Sequence, residues 1–549
     1  MYVAGRNCYT RILQKIIMFL NSRIKKIIKT SDYGVYFNFQ GQDYFQRPIG
    51  KDFDVRRKFF KNNFPSKGLL MSLEIRNKSN STKYVNSIVI ADFKLSRKLG
   101  LPREYLINEW TQSGSCKKVN SLIKTEKSDF IMMRDQNPYS FIEEFGYLGN
   151  SMISEWFSSI ALENLNFFLG ATTTSQQYTQ IFYKLENGQL RIRVTCQLDG
   201  VELEPGKKIN SEKILILWGQ SQNLQNIFAR EVARHSKIKN VEREINGICC
   251  AYYAQGNRVN EEYVMNTLYK IDEKSNSGVK VNTDTILIDA GYCKFGDWLE
   301  YKEQFPKGME NTANKIRSRG LKAGIWIAPL IATINSQLYQ NHKNWFIEGF
   351  EGRKTQPFDF IDSLSLMILD PTLNEVKDYL VQIFKQYYDW GFRVFKLDFV
   401  YPLGFTTDFS RNLTRAQALT GLLDVIRSSV GKDAVFLSAI SQLSPLVGKI
   451  DFVRTGIDTT SPLDYRIPVL RGNVNNYMLK KNIESFKNRR FLDKKIWNAD
   501  IDCLVLNENA KLDEKLVLEQ AVLMEQSNSK WLGDDMTELT EGRILYMLV

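Results

Sequence analysis

From about residue 245 onward, short apolar runs alternate with longer stretches whose apolar positions repeat at helical spacing. Eight such runs read as buried strands: Gly247–Tyr253, Thr285–Asp289, Ala323–Ala328, Arg393–Phe399, Ala434–Ser438, Phe452–Thr455, Lys495–Ala499 and Lys530–Asp534. The intervening segments, such as Glu375–Phe384 and Ala416–Val430, have the pattern of amphipathic helices. Eight such units over the rest of the chain predict an α/β fold, a (β/α)8 TIM barrel. A doubly wound sheet is the alternative, but no Gly-x-Gly-x-x-Gly follows any of the strands. Ahead of the barrel the pattern changes. Tyr33–Phe39, Ser87–Phe93, Gln180–Lys184, Leu190–Thr195 and Lys213–Trp218 are short β-prone runs divided by turn residues, with Asn187-Gly188 a hairpin signal. They predict an N-terminal β-sandwich over residues 1–235 and a barrel over 236–549, with a helix at Leu224–Lys239 leading from one to the other.

Composition excludes more than it assigns. A chain of 549 residues with 43% hydrophobic and 12% aromatic residues can fill two large cores. Its formal charge of +13 comes from 74 basic and 61 acidic residues that are mostly dispersed, which reads as a solvated surface and not as a nucleic-acid site. Two histidines, His235 and His342, cannot build a multi-histidine zinc site, and no Gly-x-Ser-x-Gly elbow serves a Ser-His-Asp triad. No metal and no organic cofactor is implied. Seven scattered cysteines suit a reducing compartment. Residues Ile12–Leu20 are apolar but broken by Gln14 and Lys15, with no small-residue cleavage site after them, so the expectation is a cytoplasmic protein without an integral membrane segment.

Two aspartates carry the chemistry. Asp398 closes Val394-Phe-Lys-Leu-Asp398, and Asp458 closes Arg454-Thr-Gly-Ile-Asp458, each at the carboxyl end of a predicted barrel strand. That face is where barrels gather their reactive groups. A pair of carboxylates is also what cleavage of a glycosidic bond requires, about 5–5.5 Å apart in retaining enzymes and about 6.5–9.5 Å in inverting ones. Period-two alternation puts Lys396 on the same strand face as Asp398, and Arg454 sits four residues before Asp458. A single Lys-x-Asp or Arg-x-x-x-Asp is usually a structural ion pair. Two of them on strands of one barrel favour a site. Lys396 alone would suit a Schiff-base chemistry, as in an aldolase-like barrel.

The same segments resemble the α-galactosidases of glycoside hydrolase clan D, the melibiase type of family 36. The resemblance rests on Lys396-Leu-Asp398, Arg454 to Asp458, Ile288-Asp289-Ala-Gly-Tyr292 with Gly296-Asp-Trp298, Gly324-Ile-Trp326-Ile-Ala-Pro329, Trp497-Asn-Ala-Asp500-Ile-Asp502-Cys-Leu504, and Gly533-Asp-Asp535. It implies that Asp398 is the nucleophile and Asp458 the acid/base of a retaining α-glycosidase, most simply an α-galactosidase acting on α-galactosides or related oligosaccharides. It also implies substrate contacts from Asp289, Trp326, Lys396, Arg454 and Tyr252. Asp500, Asp502, Asp534 and Asp535 read as turn and cap residues. The chain departs from the family pattern at three places: Ala290 replaces the second Asp of the pair after strand two, Ile248 to Tyr252 lacks the usual tryptophans, and Ala439-Ile-Ser-Gln442 replaces a Cys-Gly-Ser-Pro turn. Those changes keep a different hexose, a transglycosylase or a non-catalytic carbohydrate-binding barrel in view. The family's C-terminal β-domain is expected to be absent or truncated, and a homo-oligomer is compatible with the sequence.

Overall fold

The computed structural model describes residues 22–39, 42–48, 50–61, 67–95, 99–109, 115–120, 151–163, 165–220, 223–239, 241–250, 259–278, 281–347, 366–404, 409–460 and 468–539. They fall into two compact units, the first running to Val232 and the second from Ala233 onward, with Glu109 and residues 115–117 counted in the second.

The first unit is built of two antiparallel sheets. One runs in the order Gln42–Gln46, Asp32–Phe39, Lys83–Leu95, Gln189–Leu203, Thr179–Glu186, Ser151–Glu155. The other is centred on Lys67–Asn77, Ile214–Gly219, Asn166–Ala171 and Phe157–Leu162. Rings from opposite sheets meet in the interior: Phe37 with Phe53 at 4.9 Å between centroids, and Tyr105 with Tyr183 at 5.5 Å. The hairpin signal is realised, with Asn187 and Gly188 both at positive φ (49° and 70°) between paired strands, the geometry of a type I′ turn. The helix expected to reach Lys239 stops at His235. Lys237 turns left-handed (φ 55°) there, and the Ile238 amide reaches back to the Ala233 carbonyl at 3.0 Å, a closure that consumes a carbonyl otherwise left open.

The second unit is the barrel. Its strands are β1 (Ile245–Cys250), β2 (Thr285–Ile288), β3 (Lys322–Ile327), β4 (Phe392–Leu397), β5 (Val435–Ser438), β6 (Phe452–Arg454), β7 (Asn498–Asp500) and β8 (Ser529–Leu532). They are all parallel, in the order 7-6-5-4-3-2-1-8. The backbone ladder is open between β7 and β8, and polar side chains bridge that seam: Ser527 Oγ donates to the Ala499 carbonyl (2.6 Å), Asn528 to Asn498 (2.9 Å) and Ser529 Oγ to Asp500 (2.9 Å). The interior is filled by Ile245, Cys249, Leu287, Val394, Leu437, Phe452 and Trp531 among others. Gly247 is required where it stands, because a Cβ there would lie 2.1 Å from the Trp531 ring.

Helices α1 (Glu261–Asn276), α2 (Met309–Arg317), α3 (Asn374–Asp389), α4 (Arg415–Ser428), α5 (Pro468–Arg489) and α6 (Glu514–Glu525) lie between strands. The β5–β6 crossover departs from the predicted alternation: a short 3-10 turn at Ser444–Leu446 takes the place of a helix. Strand seven also begins later than predicted. Asp493 accepts the Ala499 amide (2.8 Å) and Lys494 is left-handed, so Lys495 and Ile496 belong to a turn. Among the described residues no helix is long and apolar enough to cross a membrane. The apolar run at residues 12–20 lies outside the described residues.

Candidate active site

Strand β4 ends one residue before Asp398, whose amide still bonds the Ile327 carbonyl of β3 at 3.0 Å. Phe399 then turns left-handed (φ 48°), a conformation that costs a bulky L-residue about 1–2 kcal/mol. The turn has a local consequence: the Phe399 amide points back and donates to Asp398 Oδ1 at 2.8 Å. The Phe399 ring packs against Trp326 (6.1 Å) and Phe295 (6.4 Å), contacts that offset the strain. Register sets Trp326 of β3 beside Lys396 of β4, and from there the indole N–H donates to Asp398 Oδ2 at 2.9 Å. Both oxygens of Asp398 are thus held by nitrogen donors. Burial nevertheless pushes the Asp398 carboxyl above its usual range, opposed by Lys396, the Trp326 bond, Arg454 and the Phe399 amide.

Sequence reasoning puts Lys396 on the face of Asp398 as its nearby cation. The direct ion pair is a different one. Lys396 Nζ is 2.7 Å from Asp289 Oδ2, at the end of β2. The same oxygen takes the Cys249 thiol of β1 at 2.9 Å, and the Ala290 amide donates to Oδ1 at 2.7 Å. Burial works against the charge on both partners, but the pair wins: Asp289 is held below the ordinary carboxylate range and Lys396 well above the ordinary amine range. Lys396 therefore acts on Asp398 through its field and not through contact.

Arg454, the last residue of β6, is surrounded by carboxylates. Its guanidinium is 2.7 Å from Asp458 Oδ1, 2.5 Å from Asp502 Oδ1 and 3.4 Å from Asp500 Oδ2. The Asp500 contact follows from register, because Arg454 faces Asp500 across the β6–β7 ladder. Asp458 is pushed up to about 7, first by burial and then by the charges of Asp502 and Asp398, with Arg454 and Lys396 opposing. Its side chain keeps 25% exposure where Arg454 and the other two carboxylates are nearly sealed. The strand-end carboxyls 398 and 458 consequently share one electrostatic site with Lys396 and Arg454.

Of the residues singled out from sequence, Asp289, Trp326, Lys396, Asp398, Arg454 and Asp458 come together at the carboxyl ends of β2, β3, β4 and β6. Tyr252 lies outside the described residues. Trp326 is 2% exposed and its visible polar contact is with Asp398, a role the sequence did not assign. Of the aspartates expected in turns and caps, Asp535 accepts the Thr537 amide in a local turn, whereas Asp534 accepts the amides of Leu506 and Asn507 and so ties two loops together. Asp500 and Asp502 depart from that expectation by sealing Arg454, and Cys249 was missed. The readable signal was there: Asp-x-Asp just after a buried strand is costly unless a cation meets it. Among the described residues no cluster of His, Cys, Asp and Glu is arranged to hold a metal ion.

A parallel barrel thus carries paired acidic and basic side chains at its strand ends, and comparison with known proteins sets that arrangement beside its relatives. Residues 273–393 match the Melibiase family. Alpha-galactosidase AgaA of Geobacillus stearothermophilus is 21% identical over 196 residues, 33% of this chain and 24% of that protein. A type blood alpha-D-galactosamine galactosaminidase of Flavonifractor plautii is 30% identical over 141 residues, 24% of this chain and 13% of its own length. These alignments span under a quarter of each relative's length. Among solved structures, the α-galactosidase TtGalA of Thermus thermophilus in complex with stachyose superposes with a TM-score of 0.63 at 18% identity, covering 94% of this chain and 99% of that one. GH36 AgaA of G. stearothermophilus gives 0.60 at 13% identity, covering 90% and 66%. At these identities the structures attest the fold. Over residues 273–393 the chain is similar to the Melibiase family, and its curated relatives include α-galactosidases.

Proposed function

We propose that the protein is a retaining α-glycosidase, most simply an α-galactosidase, that works by double displacement without metal or organic cofactor. The observation that carries this reading is the contrast between its two strand-end carboxyls. Asp398 accepts two N–H bonds, one on each oxygen, which fits a nucleophile fixed in place. Asp458 is pushed up to about 7, first by burial and then by the charges of Asp502 and Asp398, which fits a group that carries a proton near neutrality. Asp398 attacks the anomeric carbon as Asp458 protonates the departing oxygen. Water, deprotonated by Asp458, then cleaves the covalent glycosyl–enzyme. In this reading a sandwich over 1–235 precedes a catalytic barrel over 236–549, and Asp289, Lys396, Trp326, Arg454 and Tyr252 surround the sugar. A reducing cytoplasmic setting suits the cysteines, of which the six described are unpaired.

A panel of para-nitrophenyl α-glycosides tests it. Cleavage of the α-galactoside supports the α-galactosidase, and cleavage of another α-glycoside alone keeps the mechanism and moves the specificity. Silence across the panel overturns the reading. The second possibility has its own support in the galactosaminidase relative and in Ala290, which stands where the family pattern has an aspartate. Ala290→Asp is expected to tighten galactoside binding by roughly tenfold or more, since a hydrogen bond from a charged group contributes about 1.5–3 kcal/mol. An unchanged KM in that variant would mean the sugar is held by other groups.

A further inference from the structure

Arg454 carries one positive charge and touches three carboxyl groups, so the cluster holds more negative charge than its own cation can balance. The two that seal it come from the end of β7 and the loop after it, and both are nearly inaccessible: Asp500 at 0% and Asp502 at 0% exposure. Asp502 is the more unusual. Its backbone is left-handed (φ 72°), its Oδ1 is 2.5 Å from the Arg454 guanidinium, and its Oδ2 accepts the Thr459 amide at 2.8 Å. Thr459 directly follows Asp458, and the Thr459 hydroxyl bonds the Cys503 carbonyl at 2.8 Å. Asp502 therefore grips the segment carrying Asp458 from both ends, at Arg454 and at Thr459. The groups that act on Asp458 are Arg454 on its own segment, Asp398 and Lys396 from the end of β4, and Asp502 from the loop after β7, while Asp500 at the end of β7 meets Arg454.

We propose that Asp502 is a positioning residue for the acid/base step: by occupying Arg454 and fixing the Thr459 amide, it keeps the proton on Asp458 and the carboxyl in place. The proposal rests on the reading of Asp458 as the acid/base. Had Arg454 only Asp458 to pair with, it would hold that group as a carboxylate, unable to donate. Asp502 draws the guanidinium away and adds a repelling charge. Burial raises the Asp500 carboxyl as well as that of Asp458, and of the two it is Asp458 that keeps exposed side-chain surface from which a proton can be given.

Asp502→Asn removes the charge and retains an oxygen for the Thr459 amide. Titration of the aspartate carboxyls by 13C NMR, with Asp458 assigned by its loss in Asp458→Asn, is expected to place its midpoint near pH 7 in the parent protein and at least one unit lower in Asp502→Asn. At pH 7 such a shift cuts the protonated fraction from about half to about a tenth. Hydrolysis of an α-glycoside with a poor leaving group should fall roughly fivefold at that pH and recover at lower pH. One with a good leaving group should change little. An unmoved midpoint in a folded variant overturns the proposal, as does an equal loss on both substrates at every pH. Should Asp502→Asn fail to fold, Asp502→Ser, a smaller neutral acceptor, is read by the same criteria. The NMR midpoint needs no substrate, so a protein that cleaves no glycoside would refute the enzymatic reading while the charge coupling is still decided.

Discussion

Asp398→Ala is expected to abolish glycoside turnover, by roughly ten-thousandfold or more, with the fold intact. The size follows from the role: without the attacking carboxylate there is no covalent intermediate, and what is left is binding and electrostatic help. The fold should survive because the residue's partners lose little. Trp326 and the Phe399 amide each forfeit one acceptor, and Lys396 keeps its ion pair with Asp289 at 2.7 Å. Thermal melting should therefore differ by a small margin while activity vanishes. The space left by the carboxylate lies under the anomeric carbon in the proposed mechanism, so azide should enter from that side. Rescue by azide with formation of the β-glycosyl azide from an activated α-glycoside places Asp398 as the nucleophile. Full activity in the variant, or an azide product of α configuration, would remove Asp398 from that position.

What the sequence disclosed and what it hid divide along a physical line. The eight barrel strands were legible because a parallel sheet buried on both faces writes itself as uninterrupted apolar runs, and the observed strands overlap all eight predicted ones. Boundaries failed where a side chain overrode the pattern, as where Asp493 caps the turn before β7. Strand-end motifs located Asp398, Lys396, Arg454 and Asp458, because near neighbours in sequence share a strand face. Partners across strands were another matter. That Lys396 would pair with Asp289 rather than Asp398, or that Arg454 would be shared with Asp500 and Asp502, depends on register between β2, β3 and β4 and between β6 and β7. No local pattern contains that information. Trp326 is the clearest case: the sequence places an aromatic at the mouth of the barrel, and only the fold aims its N–H at Asp398.

Asp458→Ala should separate substrates by leaving group. Departure of a para-nitrophenolate or better needs little protonation, so its release should fall by less than about tenfold, whereas an α-linked sugar leaving group should lose about a hundredfold to ten-thousandfold. In the second step the missing base slows hydrolysis, so good substrates should show a burst of aglycone followed by a slow phase. Azide needs no base, and attacking the glycosyl–enzyme it should restore turnover and give the α-glycosyl azide, the opposite anomer from the Asp398→Ala product. The pH dependence follows the same assignment. Asp458 must be protonated and Asp398 ionised, so kcat/KM for poor leaving groups in the parent protein should decline about tenfold per unit as pH rises above about 7, the value to which Asp458 is pushed. At the acid end the rate should fall as Asp398 takes up a proton, and because its carboxyl is also raised, that limb should lie above the ordinary aspartate range. The alanine variant should lack the upper limb. The change should spare stability, since Arg454 keeps Asp500 and Asp502 as counterions and no buried cation is stranded. An equal loss on good and poor leaving groups, with the upper limb in place, would assign the proton to another residue.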